Sequence, residues 1–328
     1  MSGNIPQIAG NQALLSELIQ MRLGNHLPHA LLLHGETGCG KKTIAKWFSM
    51  LALCEHPTEH GPCGQCKPCM LAAENAHPDI LTAEHSGKRM GYLIETVRDI
   101  RKEAAIIPNN GSLRIFFFTD ADGMSIQAQN ALLKSVEEPP AHAIFVFTTE
   151  TIGALLPTLL SRMTIKAVFP VTRGECVTAL LQKGFAEADV QSAVTRFDGN
   201  IGKCVAYLED DSLRQAADDA AKLTQALAAR QEYELLRLLT ATAGDKERLR
   251  KTLLLLDVQL RDAAVLSLDG SFDRLGCDRS AAESLSVGLT PRRAMKMHEA
   301  LAQALSDLEG NVGASLAVTA LCAALAQC

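Results

Sequence analysis

The chain has 328 residues, enough for two or three domains that each bury a core. Hydrophobic residues at 47% and charged residues at 21% exclude a largely disordered chain, and aromatics at 4% leave too few rings for a base-stacking platform. A formal net charge of −5 argues against tight binding of bare DNA by this chain alone.

In chain order, apolar residues recur with helical spacing from Gln12 to Leu23 and are interrupted at Leu27-Pro28-His29. The apolar run Ala30 to Leu33 then reads as a buried parallel strand. It leads into Gly35-Glu36-Thr37-Gly38-Cys39-Gly40-Lys41, and Lys41 to Leu53 is again helical. Strand, glycine loop and helix are what a phosphate loop requires: backbone N–H groups close around phosphates and a lysine neutralises them. The spacing therefore predicts a degenerate Walker A loop in which Gly35, Gly38, Gly40, Lys41 and Thr43 are the candidate ATP or ADP ligands. The next position should carry the Ser or Thr that holds Mg²⁺, yet it is Lys42, and Thr43 comes one residue late. Positive charge stands where a cation belongs, so metal-poor binding and impaired hydrolysis are expected, and occupancy by nucleotide stays open.

Cys54, Cys63, Cys66 and Cys69 follow in a C-x8-C-x2-C-x2-C pattern, with Gly61, Pro62, Gly64 and Pro68 supplying turns. Four thiolates suit tetrahedral Zn²⁺ and leave no open coordination position, so a structural zinc module over 54–69 is predicted, with His56 and His60 near enough to compete as ligands. Six further cysteines, Cys39, Cys176, Cys204, Cys277, Cys322 and Cys328, lie among apolar residues and are expected to act as small hydrophobes. His77-Pro78-Asp79 reads as a turn whose Asp enters a strand or caps a helix.

Arg114 to Thr119 and Ala143 to Thr148 read as further central strands of a covered parallel sheet. The first should end in the Walker B carboxylates but ends in Thr119 and Asp120; a catalytic role for Asp120 and Asp122 and simple capping of the next helix are equally compatible with that. A helix starting near Ser125 is ended by Glu137-Glu138-Pro139-Pro140. Ser161-Arg162-Met163 precedes a strand-like Thr164 to Phe169, and on residue physics alone Arg162 is a solvated or salt-bridged side chain. From Arg173 onward the pattern is almost wholly helical, with breaks at Asp269-Gly270-Ser271 and Gly310-Asn311. Domains are expected at 1–169, 170–211 and 212–328. No apolar run is long enough to span a membrane and Met1 to Gly10 lack a secretory pattern, so a cytoplasmic protein is expected.

Together, Leu27 to Gly35, the four-cysteine insertion, His77-Pro78-Asp79, Asn130 to Pro140 and Leu160-Ser161-Arg162 resemble the clamp-loader branch of the AAA+ ATPases, nearest its non-hydrolysing delta-prime type. The resemblance covers about the first half of the chain. It implies an α/β P-loop (AAA+) domain with a zinc-binding insertion, a small helical lid domain and an all-α collar domain for assembly. The implied partners are tau/gamma and delta subunits, the sliding clamp transiently, and primer-template DNA only within the assembly. It also implies that Arg162 acts in trans as an arginine finger on a neighbour's ATP, although Met163 replaces the family's usual Cys. Gly202 stands where active relatives place a sensor-2 arginine, with Lys203 adjacent. Two other readings are an ATP-hydrolysing tau/gamma-like motor relying on Thr43 and Asp120, and a purely structural P-loop adaptor.

Overall fold

The computed structural model describes residues 5–83, 92, 94–109, 112–270, 279–310 and 312–328. Cys277, Ser271 and Asn311, part of the expectations above, lie outside them. The chain divides into two compact units, Met1–Val171 and Thr172–Cys328.

The first unit runs α1 (Gln12–Leu23), β1 (Ala30–His34), α2 (Lys41–Leu53), α3 (Lys67–Ala73), β2 (Ile80–Thr82), α4 (Ile94–Ala104), β3 (Arg114–Phe118), α5 (Ile126–Glu137), β4 (Ala143–Thr149), α6 (Pro157–Leu160) and β5 (Thr164–Ala167). Its five strands form one parallel sheet in the order β2-β3-β4-β1-β5. Parallel strands need crossovers and are covered on both faces, which is why β1 and β4 read as unbroken apolar runs. All seven residues of β4 are buried. Side-chain alternation then sorts the core. Leu31, Leu33, Ile144 and Val146 meet α1 and α2 on one face, while Leu32, Phe116, Phe118, Phe145 and Phe147 meet α4 and α5 on the other. There Phe116 stacks on Phe145 at 5.3 Å and Phe118 on Phe147 at 4.9 Å, pairs worth about 0.5–1.5 kcal/mol each beyond their burial.

The strand expected to reach Phe169 ends at Ala167, and the three-residue β2 had no counterpart in the sequence pattern. Asp79 enters β2 as expected, and its carboxylate accepts hydrogen bonds from the backbone and side chain of Asn109 at 2.7 and 3.3 Å.

The second unit contains α7 (Arg173–Gln182), α8 (Glu187–Phe197), α9 (Ile201–Glu209), α10 (Asp211–Ala228), α11 (Glu232–Thr242), α12 (Lys246–Leu268), α13 (Arg279–Ser286), α14 (Pro291–Glu309) and α15 (Ala314–Ala326). Helices α10 to α15 share one aliphatic core that includes Leu223, Leu239, Leu256, Met297, Leu301 and Leu321. Asp210 separates α9 from α10 and caps the latter by accepting from Ser212 N at 2.8 Å. Among the described residues, no helix is long and apolar enough to cross a membrane.

Candidate nucleotide and metal sites

Because β1, β4 and β3 are adjacent and parallel, their carboxyl ends bring three distant segments together: the glycine loop, Thr119–Asp122 and Glu150. Ligands of open α/β sheets bind at this edge. The loop leaves β1 at Gly35, whose backbone N–H donates to Thr149 O at 3.3 Å. A Cβ at Gly35 would lie 2.1 Å from the Val168 carbonyl oxygen, so no side chain fits there. Gly40 caps α2 at φ +89°, a left-handed conformation that glycine adopts without strain. The expected strand, loop and helix are therefore all present.

The charges of the loop are satisfied within the chain. Lys41 is almost fully buried, and its ammonium donates to the loop carbonyls of Gly35 at 2.6 Å and Glu36 at 2.9 Å. Burial holds Lys41 below the ordinary lysine range, against the pull of Cys39, Glu150, Asp120 and Asp122. Lys42, at the position where Mg²⁺ is normally held, forms an ion pair with Asp120 at 2.6 Å. Thr43 is exposed on the first turn of α2. At the loop tip Thr37 donates through Oγ1 at 2.8 Å and through N–H at 3.4 Å to the Glu150 carboxylate. Asp122 accepts from Thr149 Oγ1 at 2.9 Å and from Glu150 N at 3.1 Å. Neither Asp120 nor Asp122 caps α5; Ser125 does, accepting from Ala128 N at 3.2 Å. Sequence reasoning missed Glu150, since a lone acid after a strand carries no spacing signal.

Mg²⁺, which a phosphate loop of this kind implies, does not fit these residues. Its Ser/Thr position carries a cation, Lys42, and the Asp120 carboxylate paired with that cation is neutralised by it.

Arg162 follows α6. Its guanidinium donates to Glu137 at 2.9 Å, to Thr158 O at 2.7 Å and to Ser161 Oγ at 3.2 Å. Its side chain remains about one-third exposed. In the second unit, Gly202 and Lys203 lie in the first turn of α9, which Asn200 caps by accepting from Lys203 N at 3.0 Å.

The four cysteines converge. Cys54 directly follows α2, Cys63 lies in the loop, Cys66 caps α3 and Cys69 falls in its first turn, three residues on and so on the same helix face. Their sulfurs all lie within 4.8 Å of one another, with Cys54 and Cys66 at 3.9 Å. Tetrahedral zinc with Zn–S bonds of about 2.3 Å places sulfurs roughly 3.8 Å apart, so the cluster could hold a metal ion and is compatible with zinc. Backbone N–H groups of Cys63 and Cys66 donate to the sulfurs of Cys54 at 3.3 Å and Cys63 at 3.4 Å. The Cys63 thiol is lowered to about 6: burial pushes it up, and hydrogen bonds led by the Gln65 and Cys66 backbones outweigh that. Burial pushes Cys54 and Cys69 up. His56 and His60 are exposed and outside the cluster.

Comparisons with known proteins now bear on these sites. Residues 10–171 match the family described as DNA polymerase III, delta subunit. The chain is 34% identical over 134 residues to the DNA polymerase III subunit delta' of Pseudomonas aeruginosa, which is 41% of each chain. It is 30% identical over 185 residues to the delta' subunit of Escherichia coli, covering 56% of this chain and 55% of that one. It is also 31% identical over 227 residues to the gamma/tau subunit of Mycobacterium tuberculosis, covering 67% of this chain and 39% of that one. The matches thus span about two-fifths to just over half of these relatives' own lengths. The residues matched by the family, 10–171, carry the glycine loop, the cysteine cluster and Arg162. Over residues 10–171, about half of its length, the chain is therefore similar to the delta-prime-type subunits of DNA polymerase III.

Proposed function

We propose that this chain is the non-hydrolysing subunit of a bacterial sliding-clamp loader and supplies Arg162 in trans to the ATP of a neighbouring subunit. The observation that carries the first half is the Lys42–Asp120 ion pair at 2.6 Å, which puts a fixed cation and its counter-ion where a hydrolysing subunit needs Mg²⁺ and a free carboxylate. The motor reading needs Asp120 for itself, and Asp120 is engaged. ATP or ADP held by Gly35, Gly38, Gly40 and Lys41 would be held without metal, with Thr43 one residue past the position of the Mg²⁺ hydroxyl.

The second half rests on the family resemblance and on the partial exposure of Arg162 at the end of α6. The Arg162–Glu137 pair is what favours the pure adaptor as a second reading. The proposed layout keeps an AAA+ domain over 1–169, a lid over 170–211 and a collar over 212–328. The break at Asp210 and the shared core of α10 to α15 support the last boundary. Four cysteines hold a structural Zn²⁺ in this reading. The partners are tau/gamma and delta subunits, with the clamp and primer-template DNA engaged by the assembly.

The deciding experiment is ATP turnover by the reconstituted loader with clamp and primed DNA, comparing wild type with Arg162→Ala, and with the isolated chain as control. We expect a silent isolated chain and an intact mutant assembly whose neighbouring site loses a factor on the order of 10³, the scale of an arginine finger. Turnover by the isolated chain would support the motor, and an unaffected mutant assembly the adaptor.

A further inference from the structure

We infer that the four-cysteine loop is a metal-dependent brace on the phosphate-loop helix, so that the state of the metal is felt in the second half of α2. The inference is independent of the stator reading and rests only on the cysteines holding a metal. It begins with an anomaly of burial. A helix packed on one sheet buries one stripe and exposes the opposite face. Ten of the thirteen residues of α2 are buried, including every residue from Trp47 to Leu53. The sheet and α1 account for Ile44, Phe48 and Leu51. The second cover is the cysteine module: Met50 packs with Cys54, Cys69 and Ala72 in a separate small core.

Three further contacts bind the module to the helix. Gly61 lies so close to the Trp47 ring that a Cβ there would stand 2.8 Å from it. Lys46 Nζ donates to the Ala73 carbonyl at 2.9 Å and so caps the end of α3. From α1, Arg22 donates to the carbonyls of Leu51 at 3.3 Å and Cys54 at 2.9 Å, fixing the point where helix becomes metal loop. The loop between Cys54 and Cys66 has little apolar mass to fold on, and a metal would supply its order. Cys54 is the residue after α2, and Lys41 begins the helix about 20 Å away at 1.5 Å per residue. Metal loss would remove the module's cover from Met50 and from the Gly61-facing side of Trp47, loosening the second half of this rod.

The test is hydrogen exchange on the full-length chain, with zinc content measured alongside and Trp47, the single tryptophan, as a fluorescence reporter. On chelation, amides of 44–53 should exchange about tenfold faster and Trp47 emission should shift to the red. Re-added Zn²⁺ should reverse both, while α4 and α5, on the other face of the sheet, stay unchanged. Gly61→Ala, which keeps all four cysteines, should speed exchange in α2 with zinc still bound. Faster exchange confined to 55–73, or spread equally through α4 and α5, overturns the brace. Protein purified without chelator that carries less than about one zinc per chain removes the metal reading and the brace with it.

Discussion

At the scale of single residues, one lysine decides what the glycine loop can do. Lys42 and Asp120 are both about half exposed, so their pair contributes little stability, on the order of 0.2–1 kcal/mol, and its importance is electrostatic placement. An ammonium already compensates the carboxylate, so adding Mg²⁺ should bring wild type no gain in nucleotide affinity. Lys42→Thr removes the cation, frees Asp120 and restores a hydroxyl at the metal position. We expect binding of a fluorescent ADP analogue to differ less than about twofold between Mg²⁺ and EDTA in wild type, and about tenfold or more in Lys42→Thr, a change near 1.4 kcal/mol. Neither protein should hydrolyse ATP, because Thr119 still stands where the metal-holding carboxylate is needed and Asp120 is shorter than the Glu that polarises the attacking water. A wild-type protein whose affinity rises strongly with Mg²⁺ would show that Lys42 yields its place. The loss of the Mg²⁺ hydroxyl was legible from one letter of sequence. The ion pair was not, because its partners are 78 residues apart and only the strand order brings them together.

At the scale of elements, legibility followed periodicity and capping. Helices α1 and α2 and strands β1, β3 and β4 have long or continuous apolar signals, and the structure places them within a residue of the sequence reading. The short β2 lacks enough residues to show a period of two, and β5 ends at Ala167, short of the apolar Val168 and Phe169 that extended its apolar run in the sequence. Local chemistry was also readable where it was not read: Thr172 and Glu175 form a reciprocal capping box at the start of α7. The Thr172 backbone and hydroxyl donate to the Glu175 carboxylate and hold it below the usual carboxylate range. A depressed carboxyl contributes stability that is complete above its unfolded pKa, about 4.3, and is lost as pH falls through the lower folded value. Thr172→Ala should therefore destabilise the second unit by about 1 kcal/mol at pH 7, with the gap to wild type narrowing below about pH 4. Denaturant unfolding monitored at several pH values checks this. A gap that widens in acid would mean the box is not formed.

At the scale of the whole molecule, what sequence motifs revealed was a set of parts, and what they left out was which parts face each other. The glycine loop and cysteine cluster were identifiable from type and spacing, and Arg162 only through the family resemblance. The counter-ions Asp120, Glu150 and Glu137 were not, since an acid has no characteristic spacing from a base met only in the fold. Glu137 matters most for function, because it holds the side chain proposed to act on another subunit. Its carboxylate is half exposed, and such a pair is worth at most about 1 kcal/mol, a factor of about five in the population of free Arg162. An arginine meeting the γ-phosphate of ATP contributes on the order of 10³ or more in rate, so the intramolecular pair is too weak to prevent the transfer. This comparison makes Glu137→Gln the discriminating variant. If Arg162 acts in trans, releasing it should leave turnover by the reconstituted loader unchanged or raise it by no more than about fivefold, with weaker dependence on salt as the competing ion pair disappears. If Arg162 serves only to fasten the end of α6 to α5, Glu137→Gln should lower turnover as Arg162→Ala does, and thermal stability should fall in parallel in both variants.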